Sequence, residues 1–93
     1  MPYYDLEYRG ARLKVEVDDQ MRSYLYINGL QRDSQDAETL PTRCRLSSSV
    51  QTDYEWHEFI EAEIILNSSE ITITLRANNA TLGTESFNLQ GKA

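Results

Sequence analysis

The sequence predicts one small, mainly β domain spanning residues 1–93, an antiparallel sandwich or open barrel of about six to eight strands assembled from hairpins. Three observations carry this prediction. Apolar and polar residues alternate with a period of two in several segments. Turn-forming residues, among them Asn28-Gly29 and Asn78-Asn79, separate those segments. The 93 residues suffice for one core and little more, because a chain of this size hides only about 60 to 65% of its unfolded surface.

Taken in order, Leu13, Val15 and Val17 fall on one side of the segment from Arg12 to Asp18, with Lys14 and Glu16 on the other. That is the pattern of a half-buried strand. Asp18, Asp19 and Gln20 form a short polar connection, after which Met21, Ser23, Leu25 and Ile27 resume the inward phase with Arg22, Tyr24 and Tyr26 opposite. Asn28-Gly29 accepts the positive φ values of a type I′ turn, which predicts a third strand from Leu30 to Asp33. Residues Ser34 to Thr42 carry little apolar content and read as a loop. Cys44, Leu46, Ser48 and Val50 then alternate with Arg43, Arg45, Ser47 and Ser49 to suggest another strand. Ile71, Ile73 and Leu75 alternate with Thr72, Thr74 and Arg76, and a last strand runs from Thr81 to Leu89 with Phe87 and Leu89 inward and Gly83 as a bulge.

The segment from Thr52 to Leu66 fits both periods. As a short helix over residues 53–63 it has a capping box at Thr52 to Glu55, with Trp56, Phe59, Ile60 and Ile64 near one face. As a strand from His57 it alternates Ile60, Ala62, Ile64 and Leu66 with Glu61, Glu63 and Ile65. The strand is favoured, because a turn-bounded apolar run pairs naturally with Ile71 to Leu75. An internal echo also recurs: Asp18 to Gly29 laid on Ser68 to Asn79 sets Met21 on Ile71, Leu25 on Leu75 and Asn28 on Asn78. Two similar units would pack face to face or close on one another, although any two amphipathic hairpins share this much pattern.

Fifteen acidic against nine basic residues give a net charge of −6. Such a chain lacks the basic stripe that displaces phosphate counterions, so neither nucleic acid nor an anionic membrane is expected as a partner. The acidity serves solubility or complements a basic partner. One cysteine, Cys44, cannot form an internal disulfide, which points to the reducing cytoplasm. The amino terminus lacks a basic region followed by an apolar run, and no stretch approaches the roughly 18 to 20 apolar residues that span a bilayer.

The densest chemical neighbourhood is Tyr54-Glu55-Trp56-His57-Glu58, which holds the one tryptophan and the one histidine. Tyr54, Trp56 and His57 suggest a small-ligand or carbohydrate site, against the plainer reading of Trp56 as a core anchor and His57 as a solvated strand end. No metal site is expected: on a strand His57 and Glu61 lie roughly 13 Å apart at about 3.3 Å per residue, too far to share an ion. No nucleophile elbow, phosphate-cradling loop or zincin helix is present, so neither an enzyme nor a cofactor is expected.

Six tyrosines are more informative. If Leu25 and Ile27 face the core, Tyr24 and Tyr26 face outward beside Arg22, where no core requires large aromatics. Ordinary strand preference and packing on the stems of Arg12 and Lys14 is the bland explanation. The functional one is a contact surface, because tyrosine buries area at low entropic cost and keeps a polar tip wet. The expected function is therefore a non-enzymatic interaction module that binds a protein partner or itself through Tyr24, Tyr26 and Arg22, or through an unpaired edge strand. Residues 23–29, Ser-Tyr-Leu-Tyr-Ile-Asn-Gly, resemble the strand-to-turn step of laminin G and concanavalin-like sandwiches, and Trp56-His57 resembles another step of those folds. There the Trp-His step precedes the Asn-Gly strand and the fold is substantially longer, so the resemblance implies a sandwich and no family assignment.

Overall fold

The computed structural model describes residues 2–51 and 57–88. Among them the chain is all β, with no helix. Strands β1 (Tyr3–Tyr8), β2 (Ala11–Val17), β3 (Arg22–Ile27) and β4 (Leu30–Asp36) form one four-stranded antiparallel meander. Strands β5 (Thr42–Gln51), β6 (His57–Leu66), β7 (Glu70–Ala77) and β8 (Ala80–Asn88) form a second. The two sheets are not hydrogen-bonded into one, so the architecture is a sandwich and not an open barrel.

Alternation places the core. Leu13, Val15, Val17, Leu25 and Ile27 from the first sheet meet Leu46, Ile60, Ile64, Ile73 and Leu75 from the second, each buried to 0% exposure. Cys44 lies among them, and burial pushes its thiol pKa up. Ser23 occupies the same inward phase, fully buried, with its hydroxyl lacking hydrogen-bond geometry to any described group.

Each sheet is hinged by two-residue turns whose φ values are positive throughout, at Arg9-Gly10, Asn28-Gly29 and Asn78-Asn79. This is the type I′ signature that matches the right-handed twist of the flanking strands. The longer turns are closed by one side chain each. Asp18 Oδ1 accepts from the amides of Gln20 and Arg22 at 2.9 Å, and Asn67 Oδ1 accepts from Ser69 and Glu70 at 2.9 and 2.7 Å.

The fifty-residue echo is a structural repeat. Asn28 N donates to Arg12 O and Arg12 N donates to Asn28 Oδ1; Asn78 N donates to Phe59 O and Phe59 N to Asn78 Oδ1. The β3–β4 ladder bulges between Leu25 and Tyr26, and the β7–β8 ladder bulges at the equivalent step, between Leu75 and Arg76.

Four expectations need correction. The helix considered for residues 53–63 is absent where it can be seen: His57 onward is strand, and residues 53–56 lie outside the described ones. The loop predicted for Ser34 to Thr42 shrinks to residues 37–41, because β4 continues to Asp36 and β5 begins at Thr42. Met21 sits in the turn at φ 64 rather than in the strand. The bulge near Gly83 places the extra residue at Leu82, since Leu75 pairs with Gly83 and Arg76 with Thr81. Gly83 leaves room for the Tyr4 hydroxyl, which reaches across from β1 and would have to move for any Cβ placed there.

Candidate functional site

The outer face of the first sheet is built by register. Tyr3, Glu16, Tyr24 and Ser34 form one cross-strand row, and Asp5, Lys14, Tyr26 and Gln31 the next. Alternation turns these side chains away from the core, as expected for Tyr24 and Tyr26, although both rings are half-buried against their neighbours rather than fully open. Their ring centroids are 6.2 Å apart at an interplanar angle of 34°. The Lys14 ammonium lies 5.2 Å from the centre of the Tyr3 ring and 5.9 Å from that of Tyr26, within range of cation–π attraction.

Electrostatics fix the tyrosine tips. Tyr24 Oη donates to Asp18 Oδ2 at 3.0 Å, which raises the phenol pKa because ionisation would face that carboxylate. Burial, then the Glu16 carboxylate, pushes Tyr26 up. In return the Asp18 pKa is lowered, first by the amide of Arg22. Arg22 is exposed and pairs through Nε with Asp36 Oδ1 at 3.1 Å. A shallow depression of about 400 Å³ lies beside Tyr26, lined by Asp5, Arg12, Lys14, Glu16 and Gly29. The structure therefore brings Tyr24, Tyr26 and Arg22 together, and adds Tyr3 and Lys14.

The second sheet supplies an internal comparison. By the fifty-residue offset Arg22, Tyr24 and Tyr26 correspond to Thr72, Thr74 and Arg76, whose side chains also point outward. There the face is hydroxylic and charged: Thr72 and Thr74 hydrogen-bond to Ser86 and Thr84, and Arg76 and Arg43 both bind Glu63, at 2.9 and 3.0 Å. The same scaffold positions thus accept threonine and arginine.

Of the ligand-site residues read from the sequence, His57 opens β6, exposed, opposite Gln51. Tyr54 and Trp56 lie outside the described residues. Glu58 follows His57 but points to the other side of the strand, at 2% exposure. The sequence places Glu58 beside His57, but its inward, buried position is what sequence reasoning missed. Glu58 Oε1 accepts from Tyr8 Oη at 2.6 Å and from Asn78 Nδ2 at 2.9 Å, and Arg9 Nη1 lies 3.3 Å from both of its oxygens. Tyr8 and Arg9 belong to the first sheet and its turn, Glu58 and Asn78 to the second, so the group clasps the two sheets at one end. The signal was available: Glu58 shares the phase of Ile60, Ala62 and Ile64, and an acid on an inward phase needs partners.

Among the described residues no helix is long and apolar enough to cross a membrane. Compared with known protein families, curated proteins and solved structures, the chain matches none.

Proposed function

We propose that this domain is a non-enzymatic interaction module of the reducing cytoplasm, which binds another protein, or a second copy of itself, through the outer face of its first sheet. The residues that carry the contact are Tyr24 and Tyr26, flanked by Arg22 and Tyr3. One observation supports this above the rest: equivalent positions in the second sheet hold Thr74 and Arg76 in the same backbone geometry, so folding does not demand aromatics there. Tyrosine and arginine are the residue types enriched at protein contacts. The free thiol of Cys44 fits a compartment where disulfides do not form.

The experiment compares the wild-type chain with a Tyr24→Thr/Tyr26→Thr variant in quantitative affinity recovery from the host lysate and in sedimentation. A partner or self-association present for the wild type and lost in the folded variant supports the reading. Equal recovery by both, or a monomer that enriches nothing in either form, contradicts it.

A further inference from the structure

The geometry points to β1 as an open edge that accepts an extended partner segment by strand addition, the segment alternating basic residues outward with apolar residues inward. The inference rests on the reading that this side of the molecule meets a protein, and it specifies the chemistry of that protein.

Edge strands expose unpaired amides and carbonyls, and folded proteins blunt them with bulges, positive charge or covering groups. Three of the four edges here are blunted in such ways. β4 bulges at Arg32 and turns Asp33 across to its neighbour; β5 carries exposed Arg43 and Arg45, and its Ser47 amide is taken by Asp33 Oδ2 at 3.0 Å; β8 bulges at Leu82. Among the described residues β1 has no such device. Its register with β2 is unbroken from Tyr3 to Tyr8, and it carries no lysine, arginine or proline.

The direction of its free groups follows from the ladder. Val17 N donates to Pro2 O, and Arg12 exchanges both its bonds with Asn28 on the far side, so the even-numbered residues of β1 bond to β2. The amides and carbonyls of Tyr3, Asp5 and Glu7 therefore face the open edge. The side chains of the same three residues are exposed on the outer face, while Tyr4, Leu6 and Tyr8 stay half-exposed on the inner one. A shallow depression of about 220 Å³ lies on the outer face beside β1, lined by Asp5, Leu6, Glu7 and Arg12.

Charge selects the occupant. Lys14 stands opposite Asp5 and Arg12 opposite Glu7 in the register, yet neither pair closes to an ion pair among the described residues, the Lys14 ammonium being turned over the tyrosine rings. A strand added to β1 places its outward side chains directly opposite Asp5 and Glu7 from the other side, and lysine or arginine there is favoured. A second copy pairing antiparallel through β1 would instead set carboxylates against carboxylates. With the two strands overlapped about Asp5, that residue would meet the Asp5 of the second copy, and like charges directly opposite are unfavourable. Apolar residues on the segment's inward phase would cover the half-exposed flanks of Tyr4 and Leu6.

The test is an amide NMR titration of the isotope-labelled full chain with a capped synthetic peptide of alternating lysine and valine, with a glutamate–valine peptide as control. We expect saturable shifts at the Tyr3, Asp5 and Glu7 amides. Binding should weaken at least about tenfold in Asp5→Asn/Glu7→Gln and fall as salt rises from about 50 to about 500 mM. Glu7→Pro, which removes an outward amide but no bond to β2, should also abolish it. Shifts confined to Tyr24 and Tyr26 would overturn strand addition while leaving the aromatic face standing. Equal binding of the glutamate peptide, or no binding of the lysine peptide, would overturn the basic segment. Loss of the aromatic-face reading is registered separately, by unchanged partner recovery in Tyr24→Thr/Tyr26→Thr.

Discussion

Two carboxylates do unequal work in this molecule. Glu58 is buried and held by groups from both sheets, so removing it strands a phenol and an amide that were arranged around a negative charge. We expect Glu58→Ala to destabilise the fold by about 1 to 3 kcal/mol in urea unfolding, the cost of leaving the Tyr8 and Asn78 donors without this acceptor, since the Arg9 side chain is 43% exposed and stays solvated. Asp18 is half-buried, and its role is to close a turn and hold the Tyr24 hydroxyl. Its folded pKa lies below the ordinary aspartate value near 3.8, so its stabilisation is complete at neutral pH and drains away as the pH falls below about 4. Asp18→Asn keeps the acceptor for the turn amides but cannot titrate. We expect acid unfolding curves of this variant to lose part of the slope below about pH 4, and an unchanged slope would show that Asp18 is not coupled to folding. In the sequence Asp18 was legible as a turn residue. The burial of Glu58 follows only from its phase with Ile60 and Ala62, which its place beside His57 obscures.

At the scale of elements, the strands with one aliphatic phase were legible, because side-chain direction follows from period two alone. β2, β3 and β7 needed nothing else. β1 carries no such phase, since Tyr3 and Tyr4 put aromatics on both faces and only Leu6 is aliphatic, while Arg9-Gly10 is a less recognisable turn than Asn-Gly. The end of β4 is not legible in the sequence because Ser34 to Asp36 carries no apolar phase; what keeps it in the sheet is pairing with β3, such as Arg22 with Asp36, which composition does not reveal. The repeat permits a controlled comparison of the turns. Asn28 and Asn78 hold the same left-handed backbone and make the same pair of bonds to the neighbouring strand, but Asn78 also donates to Glu58. Asn28→Ala should cost about 1 to 2 kcal/mol from strain and a lost side-chain bond. Asn78→Ala should cost more, by about 1 to 3 kcal/mol, because a buried carboxylate oxygen loses a donor. Equal losses in thermal or urea unfolding would mean that the clasp around Glu58 does not depend on Asn78.

For the molecule as a whole, one repeated meander was given two outer faces of different chemistry. The second sheet presents threonines, serines and an arginine–glutamate cluster; the first presents tyrosines, a lysine over two rings and an acidic edge. The sandwich and the outward facing of Tyr24 and Tyr26 were legible in the sequence, since both depend on periodicity. The contact with Lys14 was legible too, but the joining of Tyr3 to that surface was not, because it depends on the register of a strand that periodicity does not show. The functional reading turns on whether the tyrosines serve the fold or a partner, and stability decides between the two. Urea unfolding of Tyr24→Thr/Tyr26→Thr should be set beside that of Leu25→Ala, which empties a core position on the strand between them. We expect Leu25→Ala to cost about 2 to 5 kcal/mol and the double tyrosine variant to cost less. A double variant less stable than Leu25→Ala would show that the rings hold the sheet together, and the contact surface would lose its rationale.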